Sequence, residues 1–191
     1  MFARTDRLIL RPSWPEDATP LARALSNPDI ARNMTNVPAD FDEGAARRWI
    51  GRARDPRLPE FLAFLRTRGA PRLIGGAYID RRDDGGLELG YWVERAHWGL
   101  GFATEATRAV MRVARATGLL GVRSGHFLDN PSSARVLRKI GFRPSGRVET
   151  RLSQARQSEV PMALFEFDES LAPPREETAL ELYQDTLPAW G

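Results

Sequence analysis
The chain contains no cysteine, which excludes disulfides, thiolate metal sites and a cysteine nucleophile. Its two histidines, His97 and His126, are too few for the usual histidine-rich metal clusters, so no metal is expected. Lysine is almost missing as well: of 28 basic residues only Lys139 is a lysine. The arginines are scattered and not gathered in a block, and the net charge of +3 is mild, which argues against a nucleic-acid-binding stripe. No long apolar run exists, and the opening MFARTDRLIL lacks the apolar core of a signal peptide. The expectation is a cytoplasmic protein without membrane or nucleic-acid partners. At 191 residues, 42% hydrophobic and 28% charged, the composition is ordinary for one globular domain. Chains of this size bury about 70% of their unfolded surface. No internal repeat is visible.

What is present concentrates in one stretch, Gly86 to Ala116 (GLELGYWVERAHWGLGFATEATRAVMRVARA). Leu87, Leu89, Tyr91 and Val93 alternate with Glu88, Gly90 and Trp92, the period of a strand. A loop over Glu94–Trp98 and a turn over Gly99–Phe102 follow. A helix is expected from about Ala103, where Ala106, Val110 and Val113 recur at helical spacing and Gly118 marks the end. Gly99 and Gly101 let the backbone approach a bound group closely, and the free N–H groups of the helix start would point at it. That arrangement suits an anion, most naturally phosphate. A P-loop is dropped because no lysine follows either glycine. A dinucleotide fingerprint finds Gly99 and Gly101 but Thr104 at its third glycine, and five residues separate the turn from the strand. A plain structural turn is the remaining alternative.

The rest of the chain frames this stretch. Thr5–Arg11 reads as a first strand, and Pro15-Glu16-Asp17 opens a helix with Leu21, Ala22 and Leu25 on one side. Asn27-Pro28-Asp29 breaks it, and Asp42 can cap a helix over Glu43–Arg54. Phe61–Arg66 and Arg72–Asp80 read as strands, with Gly75-Gly76 signalling a bulge or close approach. Asp83-Asp84-Gly85-Gly86 is a hairpin turn, which makes the second to fourth strands an antiparallel meander. Val122–Leu128 is a fifth strand. A second motif follows it, Asp129 to Phe142 (DNPSSARVLRKIGF), where Asn130 as cap and Pro131 at the first position start a helix ended by Gly141. Arg151–Phe167 supplies two closing strands around a loop near Arg156–Glu159. Residues 1–168 form one domain, and 169–191 form a linker and a short helix over Glu176–Leu187.

These motifs together resemble the GNAT superfamily of N-acetyltransferases, whose pyrophosphate-binding turn is Q/R-x-x-G-x-G/A. Here Trp98-Gly99-Leu100-Gly101-Phe102-Ala103 keeps Gly101 and Ala103 and puts Trp98 where Gln or Arg usually stands. The strings LGYWV…HWGLGFATEA and DNPSSARVLRKIGF, with an opening RLILR, are similar to the RimJ/RimL-type branch over roughly residues 5–167. The resemblance implies an α+β, three-layer GNAT fold, a mixed, mostly antiparallel twisted sheet of about seven strands with helices on both faces and a splay between strands four and five. It implies acetyl-CoA as cosubstrate, its pyrophosphate on the glycine turn and on Thr104, and its pantetheine arm on backbone groups of Tyr91, Trp92 and Val93. Asn130 would hold the arm or a water, and Lys139 or Arg138 would meet the 3′-phosphate. The first helices would border the acceptor, making Trp14, Asn33, Met34, Phe41 and Trp49 candidate lining residues.

The implied activity is direct acetyl transfer to a primary amine, in RimJ/RimL-type enzymes the N-terminal α-amine of a ribosomal protein. Relatives of similar sequence modify small amines or antibiotics. A non-catalytic acyl-CoA-binding module and a dinucleotide oxidoreductase stand as alternatives, and the chain is expected as a monomer or homodimer. Glu88 is the first candidate base, since it projects from the strand opposite Leu87, Leu89 and Tyr91. His126 on the next strand is the second. Ser133 is the candidate donor to the departing thiolate. Many family members use a tyrosine there, but this chain has only Tyr78, Tyr91 and Tyr183, none at the usual place after the fifth strand.

Overall fold
A computed structural model of the chain describes residues 1–171. The helix expected over Glu176–Leu187 lies outside those residues. Among the described residues, eight strands form a single sheet. In chain order the elements are β1 (Ala3–Arg4), β2 (Leu8–Arg11), α1 (Ala18–Leu25), α2 (Pro28–Ala31), α3 (Glu43–Gly51), β3 (Glu60–Leu65) and β4 (Arg72–Arg81). Then come β5 (Leu87–Val93), α4 (Phe102–Ala116), β6 (Val122–Phe127), α5 (Pro131–Lys139), β7 (Phe142–Ser153) and β8 (Ser158–Phe167). The strands lie in the order β1-β2-β3-β4-β5-β6-β8-β7, and β5 with β6 is the one parallel pair among antiparallel neighbours.

Strand alternation sorts side chains onto two helical layers. Phe61, Ala63, Ile79 and Leu89 face α4 and α5, whose Ala109, Val110, Val113 and Leu137 are fully buried against them. Leu62, Phe64 and Trp92 face the other way, onto α1, α2 and α3. The result is the α+β three-layer architecture expected, with eight strands where about seven were anticipated.

The differences have local causes. Thr5–Arg11 is not one strand, because the Thr5 hydroxyl accepts the Leu8 N–H (2.9 Å) and turns the chain into a short hairpin of β1 and β2. The closing pair begins at Phe142, well before Arg151. β7 is an edge strand, mostly exposed and bent at Gly146 (φ +76°), so it shows no apolar alternation to reveal it. The anticipated bulge lies beside Gly75: Ala63 pairs with Gly75 and Phe64 with Leu73, leaving Ile74 as the extra residue.

Close approach is also realised. A Cβ on Gly76 would stand 2.7 Å from the Trp92 indole nitrogen, and one on Gly90 would stand 2.5 Å from the Tyr78 ring. Both aromatic rings thus lie flat across neighbouring strands. Gly90→Ala should therefore displace Tyr78 and cost about 1–3 kcal/mol, read as a lower Tm in thermal denaturation. Gly51→Ala, with open space at its Cβ, should leave Tm unchanged or slightly raised.

Candidate functional site: a cleft through the sheet
The site originates in a failure of strand pairing. β5 and β6 are in register only at Leu87 with Val122 and Glu88 with Arg123. Beyond that point the Ser124 hydroxyl, fully buried, takes the Leu89 carbonyl (2.9 Å) in place of a ladder bond. Glu94 N–H bonds the Ile74 carbonyl, so by the two-residue alternation Trp92 and Gly90 spend their backbone groups on β4. Those of Tyr91 and Val93 consequently face the gap. The Val93 carbonyl is taken by the Trp98 indole N–H (2.7 Å). The Tyr91 N–H and C=O and the Val93 N–H are left aimed into the opening, where a buried strand cannot leave them without a partner at no cost.

At the end of this gap the chain turns. Gly99 (φ +76°) and Gly101 (φ +84°) occupy the left-handed region that favours glycine, and Gly101 is the N-cap of α4. No side chain caps that end, so the N–H groups of Phe102, Ala103 and Thr104 are free of helical partners and carry the positive end of the helix dipole. The helix starts one residue earlier than expected. Trp98 and Thr104 border the opening, whereas the Leu100 side chain points outward and its carbonyl accepts from Arg7 (3.0 Å). Arg7 also bonds Glu105 through Nε (2.7 Å) and stacks on the Phe102 ring (4.2 Å). Sequence reasoning missed this brace: Arg7 stands in the opening RLILR string, but nothing in the string says that it reaches residue 100.

On the α2 side of the gap stands Glu88. Arg151 Nη1 contacts both its oxygens (2.7 and 2.9 Å), and Arg82 Nη1 donates to Oε2 (2.9 Å). A carboxylate offers about four lone-pair sites, so Oε1 retains an acceptor position. Burial pushes the Glu88 carboxyl up to about 7, with Glu149, Asp84 and Asp80 adding to the rise and Arg82 opposing it. Nearby, His126 Nδ1 lies 2.8 Å from the Phe127 carbonyl. A carbonyl only accepts, so Nδ1 carries the hydrogen and Nε2 of the neutral ring keeps its lone pair.

On the opposite side of the sheet, the Tyr91 hydroxyl lies 2.6 Å from Ser133 Oγ and 3.1 Å from the Ser133 carbonyl. Burial raises the Tyr91 phenol above its ordinary value, so it stays protonated and donates. A tyrosine hydroxyl thus sits at the start of α5 although none was expected there, because it arrives from β5 and not from the segment after β6. Asn130 differs from its reading as a cap. It occupies the N-cap position of α5 but makes no side-chain cap bond, which leaves its amide free at the opening.

Together these groups border one continuous cleft of about 430 Å³. It runs from Trp98, the glycine turn, Asn130 and Lys139 past Tyr91, Trp92, Val93 and Ser133, and emerges beside Glu88, His126 and Tyr78. Of the residues expected to border an acceptor, Asn33 and Met34 line the cleft. The others do not. Phe41 is core, Trp49 stacks on Arg52, and Trp14 stacks on Arg11, which is itself held by the buried Asp17 (2.7 and 2.8 Å). Tyr78 and Met162, not anticipated, also line the cleft. No helix among the described residues is long and apolar enough to cross a membrane.

Comparison with known proteins agrees with this geometry. Residues 7–143 match the family model described as the acetyltransferase (GNAT) domain. YoaA of Bacillus subtilis, an uncharacterized N-acetyltransferase, is 31% identical over 158 residues, covering 74% of this chain and 82% of YoaA. A GNAT-family acetyltransferase structure from Bacillus anthracis superposes with a TM-score of 0.74 at 20% identity, covering 89% of this chain and 99% of the other. The microcin C7 self-immunity acetyltransferase MccE, solved with acetyl-CoA and AMP, superposes at 0.69 with 14% identity, covering 85% and 92%.

Replacing Arg7 by Ala removes the brace on the turn while leaving every residue that lines the cleft unchanged. Calorimetric titration should show coenzyme A binding weakened about tenfold, or ~1.4 kcal/mol. Arg57→Ala, which removes only a pair with Asp55, should leave the affinity unchanged.

Proposed function
This chain belongs to the GNAT family of acetyltransferases, and on that basis we propose that it transfers acetyl directly from acetyl-CoA to a primary amine. The observation that carries the reading is the single cleft, which joins a glycine turn with free N–H groups at one end to Glu88 and His126 at the other. The turn fits a diphosphate, and the unpaired Tyr91 and Val93 groups fit the amides of a pantetheine arm. The sheet, with its one parallel pair, is unlike the doubly wound parallel sheet of a dinucleotide enzyme.

In the proposed step the amine nitrogen forms a bond to the thioester carbonyl carbon and the carbon–sulfur bond breaks. The Val93 N–H, facing the gap, is a preplaced donor for the carbonyl oxygen as charge builds there. Glu88 accepts the proton lost by the amine, at the free Oε1 position or through a water. His126 Nε2 is the second candidate, supported by its fixed tautomer. Tyr91 and Ser133 supply a hydrogen to the departing sulfur: one hydroxyl donates outward while the other donates to it. Asn130 steadies the arm, and Lys139 serves the outer phosphate. The resemblance to RimJ/RimL-type enzymes adds a protein N-terminus to the acceptors to be tried. An α-amine, at about 8, is deprotonated more readily than a lysine amine at about 10.4.

Activity should rise with pH through an inflection near 7, as the raised Glu88 carboxyl loses its proton. Glu88→Gln should flatten that limb and lower kcat by about a hundredfold, with coenzyme A affinity unchanged. If the limb survives Glu88→Gln and vanishes in His126→Gln, the base is His126. The same shift has a stability sign. Between the unfolded value of about 4.3 and 7 the folded state holds a proton that the unfolded chain has released, so this group's contribution falls as pH rises through that window. In Glu88→Gln that slope should disappear. Tyr91→Phe and Ser133→Ala should each lower kcat about tenfold while KM for acetyl-CoA stays nearly constant.

A further inference from the structure
The acceptor half of the cleft has an unusual charge balance. Ile30, Met34, Trp92 and Met162 line it with hydrocarbon, indole and thioether, and besides Glu88 its polar groups are the Asn33 amide, the Thr35 hydroxyl, the Tyr78 phenol and the His126 imidazole. Among the described residues, the charged side chains lining the whole cleft are Glu88, Arg135 and Lys139. The latter two stand on α5, on the far side of the sheet. On the acceptor side only Glu88 is charged, and it is held by Arg82 and Arg151. Those two guanidiniums also contact Glu149, and Arg82 reaches Asp84 (3.8 Å), so three carboxylates face two arginines. No lysine or arginine of the lining is left there for an acceptor carboxylate or phosphate, and no carboxylate is left for a second ammonium.

The same half is sealed on one side. The tip of the β7–β8 hairpin is stitched to the end of α2: Gln154 N–H donates to the Thr35 carbonyl (3.1 Å), and Arg156 Nε donates to the Arg32 carbonyl (2.8 Å). Arg156 also grips Asp129 (2.8 and 3.1 Å), and Asp129 pairs with Arg32 (3.1 Å). An extended peptide has no way out between α2 and the hairpin while these bonds hold.

We propose that the acceptor is a small monoamine whose body is aromatic or aliphatic and bears no second charge near the amine. This rests on the acetyl-transfer reading above and names its substrate class. A carboxylate placed beside Met34 and Met162 would be desolvated without a cationic partner, and the distal ammonium of a polyamine without an anionic one. An aromatic or alkyl body gains from burial against the thioethers of Met34 and Met162 and the rings of Tyr78 and Trp92.

The experiment uses the full chain with acetyl-CoA in a thiol-release assay. Phenethylamine and phenylalaninamide should be turned over with kcat/KM at least about tenfold above phenylalanine, spermidine and a short peptide with an N-terminal alanine. Phenylalaninamide against phenylalanine isolates the carboxylate. Thr35→Asp places a carboxylate in the acceptor half, where Thr35 lines the cleft without using its side chain in the hairpin stitch. It should raise the preference for cadaverine over pentylamine about tenfold or more. Preference for the amino acid, the polyamine or the peptide overturns the proposal, as does turnover of none of the monoamines. Thermal stabilisation by coenzyme A, measured alongside, separates the two readings. Its absence removes the acetyl-transfer function, whereas its presence with the wrong acceptor order removes the monoamine alone.

Discussion
One interrupted ladder governs this molecule. β5 and β6 begin as parallel neighbours, and after two residue pairs the Ser124 hydroxyl replaces the next backbone donor at Leu89. Each strand retains a partner on its other side, β5 on β4 and β6 on β8, so the sheet tolerates the opening. The groups left over in the gap are backbone amides, whose positions are set by strand alternation and not by flexible side chains. A slot of this kind is rigid before anything enters it, and such preplacement lets donors act on a reacting carbonyl without reorganisation.

The two faces of the sheet divide the work along the same slot. Residues of β5 with odd numbers, Tyr91 among them, point toward α4 and α5. Tyr91 meets Ser133 there. Residues with even numbers, Glu88 and Trp92, point toward α1–α3. In the transfer proposed above, the nucleophile and the leaving group would thereby be served from opposite layers, and the cleft crosses the sheet only where the strands part. The glycines of β4 and β5 serve the same end: by lacking a Cβ they let Tyr78 and Trp92 lie flat on the acceptor face.

Arginine carries the ionic framework in a chain with a single lysine. Arg7 braces the glycine turn, Arg82 and Arg151 hold Glu88, and Arg156 ties the β7–β8 hairpin to α2. Each of these makes several directed bonds at once from a rigid planar fork of five N–H donors, where an ammonium offers three on a flexible stem. Most such pairs on an open surface contribute little to stability. Their role here is to fix where turns and loops sit around the cleft.

Much of this was legible in the chain itself. The alternation of Leu87, Leu89, Tyr91 and Val93, the glycines at 99 and 101, and the Asn130-Pro131 helix start are local signals, each read over a few residues, and the structure returns them nearly in place. The period of two alone puts Glu88 on the face opposite Leu89 and Tyr91, where the structure has it. The sequence could not reveal that Tyr91 meets Ser133, that Arg7 reaches Leu100, that Arg151 holds Glu88, or that Phe41 belongs to the core and Trp49 packs against it, both away from the cleft. Those pairings join residues 42 to 93 positions apart, in the first three cases. Local preference fixes which face a side chain takes, but which distant side chain shares that face is decided only when the layers pack.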